Sequence, residues 1–281
     1  MTSCRGPAFS KIEAAAKSGY WNEGEYEQPS RSQSSPPGVT SGFDPRPPSP
    51  RRPPRPLTAT CMECFIFVLV GWIFSVCLHE FGHAFVAFKG GDYTVEEKGY
   101  LTMNPVHYTH PVYSLVLPMV FLLLGGIGLP GGAVYINDAL LRSNRWRTGV
   151  ALAGPVMNLL LVVLLCLPFW LHWLDPQVHR LLAVSLALLI QLEISAILFN
   201  LLPVPSLDGF NAIAPWLPLS VREHALRHAS YYVWGLFIAF WNVPAIGDVF
   251  WGVIEVITNL LNIDADLIKA GWQEFRFWKH L

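Results

Sequence analysis

The sequence predicts an all-α polytopic membrane protein with three core transmembrane helices, a re-entrant or hairpin segment between the first two, and further helices toward the carboxyl end. Three observations carry this. The chain of 281 residues is 52% hydrophobic and only 14% charged, with a mean hydropathy of +0.38, too apolar for a protein dissolved in water throughout. Apolar runs long enough to span a bilayer recur after residue 60. Within the first of these runs stand three ionisable residues, which are expensive there unless paired or bound.

The chain opens on a different composition. Eleven of its 23 prolines precede residue 60, and residues 34–56 (SSPPGVTSGFDPRPPSPRRPPRP) offer almost nothing to bury. Residues 1–60 therefore read as a disordered, Pro/Ser/Arg-rich tail that cannot offset its ordering entropy. Arg5, Lys11 and Lys17 against Glu13 suit a targeting presequence, but no apolar core with a cleavage site follows.

Beyond the tail the apolar runs come in order. Residues 65–88, 148–173 and 181–204 each exceed the roughly 20 helical residues that cover the hydrocarbon core. Residues 112–130 are also apolar but are broken by Pro118, Gly125, Gly126, Gly128 and Pro130. From Tyr231 to Ile263 a further apolar region is interrupted at Asn242-Val243-Pro244 and Gly247-Asp248, giving either two helices or one broken span. Residues 264–281 mix Leu, Ile, Trp and Phe with Lys, Arg and His, the pattern of an interfacial amphipathic helix. Trp170, Trp173, Trp241 and Trp251 stand near run ends or breaks, as interfacial aromatics do.

Charge and cysteine usage exclude other classes. A net charge of −1 supplies no basic field to gather nucleic acid. The five cysteines are scattered, and Cys61-x-x-Cys64 has no second pair at metal-binding spacing, so a disulfide scaffold is not expected.

The chemistry sits in the first run, where His79-Glu80-Phe81-Gly82-His83 forms HExxH. At 3.6 residues per turn, His79 and His83 project from one helix face, so two imidazoles can grip one Zn2+ ion while Glu80 faces its open side. Tetrahedral zinc then needs one more protein ligand, which this helix cannot supply. The carboxylates open to that role are Glu96 and Glu97 in a polar turn, Glu193 in mid-span, and Asp208. Asp208 is the strongest candidate, because Pro203 and Pro205 end the preceding helix and Gly209 frees the backbone beside it. His224 and His228 are also four apart but have no intervening Glu, and a second metal site is not expected there.

HEFGH in a membrane helix, Gly154-Pro155-Val156-Met157-Asn158 in a later one and NLLPVPSLDG (residues 200–209) after that closely resemble the site-2 protease family of intramembrane zinc metalloproteases. The stretches GYLTMNPVHYTHP and LLLGGIGLPGGAVYIN look like its compact bacterial-type branch, which lacks appended PDZ or CBS domains. The resemblance covers about residues 65–215. It implies that residues 61–263 form a membrane-embedded metalloprotease domain in which His79, His83 and Asp208 hold one zinc and Glu80 is the general acid/base. It further implies that Asn200 holds substrate or stabilises the oxyanion, and that Gly154 and Asn158 pack beside the catalytic helices on the substrate. Tyr108 and His110 depart from the family pattern, where His and Asp would precede the proline.

A shared metal constrains topology. His79 and His83 lie near the carboxyl end of the first helix and Asp208 just past the end of the third, so these two helices must run in the same direction. With the second span between them, residues 112–136 must then cross an even number of times, as a re-entrant segment or hairpin; a single crossing would leave Asp208 about 20 Å away, in the other leaflet. Irregular backbone at such depth is tolerated where it lines a wet cavity, and its edge can pair with an unwound substrate strand. Seven cationic residues on the catalytic side (Lys89, Lys98, Arg142, Arg145, Arg147, Arg222, Arg227) against five on the other (Arg46, Arg51, Arg52, Arg55, Arg180) lean toward a catalytic end facing the cytosol.

The expected activity is hydrolysis of a peptide bond within or near a transmembrane segment of a membrane-protein substrate in the bilayer. Two rivals make different demands. A catalytically silent protein that binds transmembrane segments requires neither an intact HExxH nor Asp208, and a transporter would spread polar residues over several spans with inverted-repeat symmetry.

Overall fold

Leu, Val, Ile, Phe and Ala dominate the long runs, and in a computed structural model of the protein, which describes residues 57–102, 134–276 and 278, all regular elements are helical. In chain order these are α1 (Leu57–Gly90), α2 (Thr94–Glu97), α3 (Asn144–Trp170), α4 (Arg180–Asn200), α5 (Asp208–Ile213), α6 (Leu219–Arg227), α7 (Ala229–Asn242), α8 (Pro244–Leu260) and α9 (Ala265–Phe275), with a 3-10 turn at Ala214–Trp216. The tail before residue 57, the family-divergent Tyr108 and His110, and nearly all of the segment expected to be re-entrant lie outside the described residues.

Among the described residues, three helices are long and apolar enough to cross a membrane: Cys61–Gly90 of α1, then α3 and α4. Their ends differ from the apolar runs for local reasons. α3 begins at Asn144, four residues ahead of Thr148, because polar residues that keep helical backbone extend the first turns beyond the apolar run. α4 stops at Asn200 rather than Val204, since proline disfavours helical backbone in the residue before it and Pro203 and Pro205 follow. Ser206 then turns the chain with a φ of 82°.

Side-chain pairing shows how the three spans run. Gly71 of α1 lies against Leu189 of α4, and Ser75 donates to Glu193 a turn later, so the two helices are parallel. Along α3 the order reverses: Gly90 meets Trp146, Gly149 meets Val86, and Gly154 meets His79 and His83. The described flanks of residues 103–133 therefore lie at one end of the bundle, where the Gly90 carbonyl accepts the Arg142 N–H at 3.1 Å and the Asp92 carboxylate accepts the Asn137 N–H at 2.7 Å.

α4 is the most enclosed span, with Leu188, Ile190 and Glu193 fully buried, while α1 and α3 each turn an apolar stripe outward. Ile66, Phe67, Val70 and Phe74 form that stripe on α1, and Val156, Leu159, Leu160, Val163 and Leu164 form it on α3. The broken region after Tyr231 resolves into two helices, α7 and α8, bent by 90° at Val243. α9 gives its apolar face to protein: Ile268, Gly271 and Phe275 are buried against α4 and α1. A Cβ at Gly271 would sit 2.6 Å from the Val184 carbonyl, so glycine is what permits this approach.

Candidate metal centre

Four residues apart on α1, His79 and His83 present their rings to the same side, as helical periodicity requires. What they meet there is bare backbone. A Cβ built on Gly154 of α3 would lie 2.5 Å from His79 Cε1, 2.6 Å from His79 Nε2 and closer still to His83 Nε2. Gly82 admits the same contact from the other side, since a Cβ there would lie 2.8 Å from the Ala153 carbonyl. Pro155 follows Gly154 and has no N–H, so the Ala151 carbonyl on the cavity wall lacks its helical donor.

His83 Nδ1 lies 2.7 Å from the Val150 carbonyl, which can only accept, so Nδ1 carries the proton and the Nε2 lone pair faces the cluster. His83 Nε2 is 3.0 Å from His79 Nε2. Asp208, the first residue of α5, places Oδ2 at 3.1 Å from His79 Nε2 and Oδ1 at 3.5 Å from His83 Nε2. Around a tetrahedral zinc with bonds of 2.0–2.1 Å, neighbouring donor atoms stand about 3.3 Å apart. The separations of 3.0–3.5 Å bracket that figure, the two Asp208 distances being to its two different oxygens, and Asp208 Oδ2 is buried with no hydrogen bond among the described residues. Two imidazoles and a carboxylate are also a donor set suited to zinc. Glu80 completes the group: its ligand atom and those of His79 and His83 all lie within 4.8 Å of one another. Its Oε2 accepts the Val134 N–H at 3.1 Å.

The other carboxylates that the sequence leaves open are elsewhere. Glu96 and Glu97 are exposed on the single turn α2. Glu193 is buried at the α1–α4 contact, where it accepts from Ser75 Oγ at 2.5 Å, one turn before His79.

Beside the cluster opens a cavity of about 810 Å³, lined also by Tyr135, Asp138, Arg147, Asn211 and Arg222. Asn200 also lines it, buried, with its Nδ2 lacking a hydrogen-bond partner among the described residues. Gly154 and Asn158 do not line it; Gly154 backs the imidazoles and Asn158 is buried one turn further along α3.

Several participants are not legible in the sequence. Asp92, fully buried, accepts from Thr94 N–H and Oγ1 and from the Asn137 N–H, so together with Glu80 it ties residues 134–137 across the site. Its Asp-x-Thr turn is a visible local signal, but the Asn137 contact is not. The α4–α5 junction depends on Gly209, where a Cβ would fall 2.6 Å from the Leu202 carbonyl and nearer still to Leu201. Gly209→Ala is expected to destabilise the protein by about 1–3 kcal/mol, measured by thermal unfolding in detergent, because backbone must move to admit one methyl.

Relatives carry matching names. Over 214 residues, 76% of this chain, the sequence is 42% identical to a Mycobacterium tuberculosis H37Rv protein named "Putative zinc metalloprotease Rip2", 81% of which is covered. The Mycolicibacterium smegmatis protein of that name matches to the same extent. YwhC of Bacillus subtilis, described in the same words, is 29% identical over 195 residues, 67% of this chain and 86% of its own length. No family model matches the sequence, and no solved structure does.

Proposed function

Because the chain belongs to the site-2 protease family of membrane zinc metalloproteases, we propose that it hydrolyses a peptide bond within or beside a transmembrane segment of a membrane-protein substrate. The observation that supports this reading best is the convergence of His79, His83, Asp208 and Glu80 where the ends of two parallel apolar helices meet a cavity.

His79, His83 and Asp208 would hold the zinc, and two neutral imidazoles with one carboxylate would neutralise only half of its charge. When bound, zinc supplies Lewis acidity for the attacking water and the scissile carbonyl. Glu80 takes the proton from that water and returns it to the leaving amine, with Oε2 steadied by Val134 and Oε1 left for the transfer. Asn200 holds the carbonyl oxygen as charge develops on it, a role supported by its Nδ2 being a buried donor that lacks a partner among the described residues. Gly154 keeps the imidazoles seated, and Asn158 is buried one turn further along α3. Helical carbonyls are hidden by side chains, so the substrate must unwind at the cleavage point, and a span weakened by Gly, Pro or Asn is the suited target. The catalytic end faces the cytosol in this reading, in keeping with the cationic residues around it.

Purified full-length protein should carry one zinc per chain by elemental analysis and cut some members of a panel of single-span reporters. Phenanthroline should abolish cutting and added zinc should restore it. Cutting that survives metal removal, or a zinc-loaded chain that cuts no reporter, would overturn the reading.

A further inference from the structure

Besides the metal cluster, the cavity lining carries two cations, Arg147 and Arg222, against one acid, Asp138. Arg147 donates from Nε and Nη2 to the Asp138 carbonyl at 3.2 and 3.0 Å, and from Nη1 to Asn144 Oδ1 at 2.8 Å. These contacts hold the guanidinium still without neutralising it. Arg222, half-buried on the first turn of α6, forms no ion pair among the described residues. Every Asp and Glu after residue 57 is described, so no acid of the helical region is missing from this comparison. The Asp138 side chain lines the same cavity, leaving the wall with one net positive charge.

From this we infer that Arg147 and Arg222 select substrates bearing an acidic side chain a few residues from the scissile bond, on the side that leaves the membrane at the catalytic end. The inference rests on the proteolytic reading above. Its register follows from helix geometry. Arg147 precedes Gly154, which touches both imidazoles, by seven residues of α3, two turns and about 10 Å along the axis. An extended peptide covers that distance in about three residues. Arg147 is already immobilised, so it binds a carboxylate at little cost in side-chain entropy.

Three reporters that differ only by Glu, Gln or Lys at the third residue on that side, presented with the full-length enzyme in phosphatidylcholine vesicles, test the inference. The kcat/KM ratio of Glu to Lys reporter should be about tenfold, from one or two partly exposed ion pairs, and should fall toward unity in about 1 M salt. Arg222→Glu, which removes no hydrogen bond seen in the fold, should bring the ratio to one or below, and Arg147→Gln should lower it. A ratio of one in the wild type, a ratio that Arg222→Glu leaves unchanged, or a preference that needs added phosphatidylglycerol would overturn the inference while leaving proteolysis intact. Cleavage of none of the three would overturn the proteolytic reading and this inference with it.

Discussion

Glu80→Gln is expected to keep one zinc per chain and to lose cleavage by about 10³-fold or more, the scale of an acid–base contribution. The amide is nearly isosteric with the carboxylate, so its carbonyl oxygen can still accept the Val134 N–H that Oε2 accepts at 3.1 Å, and the wall of the site stays in place. What it cannot do is take a proton from water and pass it on. The proposed metal ligands are untouched, since His79, His83 and Asp208 meet one another without Glu80. Asp208→Asn gives the contrast: it removes the anionic ligand beside both Nε2 atoms and should lose zinc and cleavage together. Elemental analysis and reporter cleavage on the same preparations separate the two, and a Gln variant that still cuts within tenfold of wild type would show that the proton moves through another group.

Where interactions are local in sequence, the chain could be read directly. HExxH was legible because helical periodicity alone puts His79 and His83 on one face. The glycines and prolines around residues 200–209 marked the end of α4 and the turn to Asp208, though not that the helix yields already at Asn200. Among the four carboxylates the same prolines and Gly209 favoured Asp208, but where the other three go needed tertiary information. Glu193 was open to the same role, though less favoured than Asp208, and only the pairing of α1 with α4 shows that it meets Ser75 instead. The even-crossing argument anticipated that α1 and α4 run parallel, because a metal site is a distance constraint spanning some 125 positions. No such constraint announced Asp92 to Asn137 or Val134 to Glu80, where one partner is a backbone N–H with no sequence identity to read. The amphipathic pattern of α9 suggested a helix in the interface but could not say whether lipid or protein takes its apolar face; Gly271 against Val184 answers for protein.

Gly154→Ala is expected to empty the site without unfolding the protein. The added methyl would fall 2.5 and 2.6 Å from His79 atoms and nearer to His83 Nε2, so rings or backbone must give way. The backbone has little room: α3 is pressed on α1 at Gly82 against Ala153 and at Gly90 against Trp146. His83 is pinned through Nδ1 to Val150, so rotating its ring costs that hydrogen bond and swings Nε2 away from Asp208. Zinc affinity should therefore fall by about 100-fold, as for losses in the shell that orients metal ligands, and cleavage should fall with it. Helix propensity points the other way, since alanine in a helix interior is favoured over glycine by up to about 1 kcal/mol. The metal-free variant should then have a Tm close to or above that of the metal-free wild type, while the gain in Tm on adding zinc shrinks. A general packing defect would lower both values, so the two scans separate a blocked metal site from a damaged fold, and wild-type zinc affinity in the variant would show that the imidazoles do not need the bare backbone at Gly154.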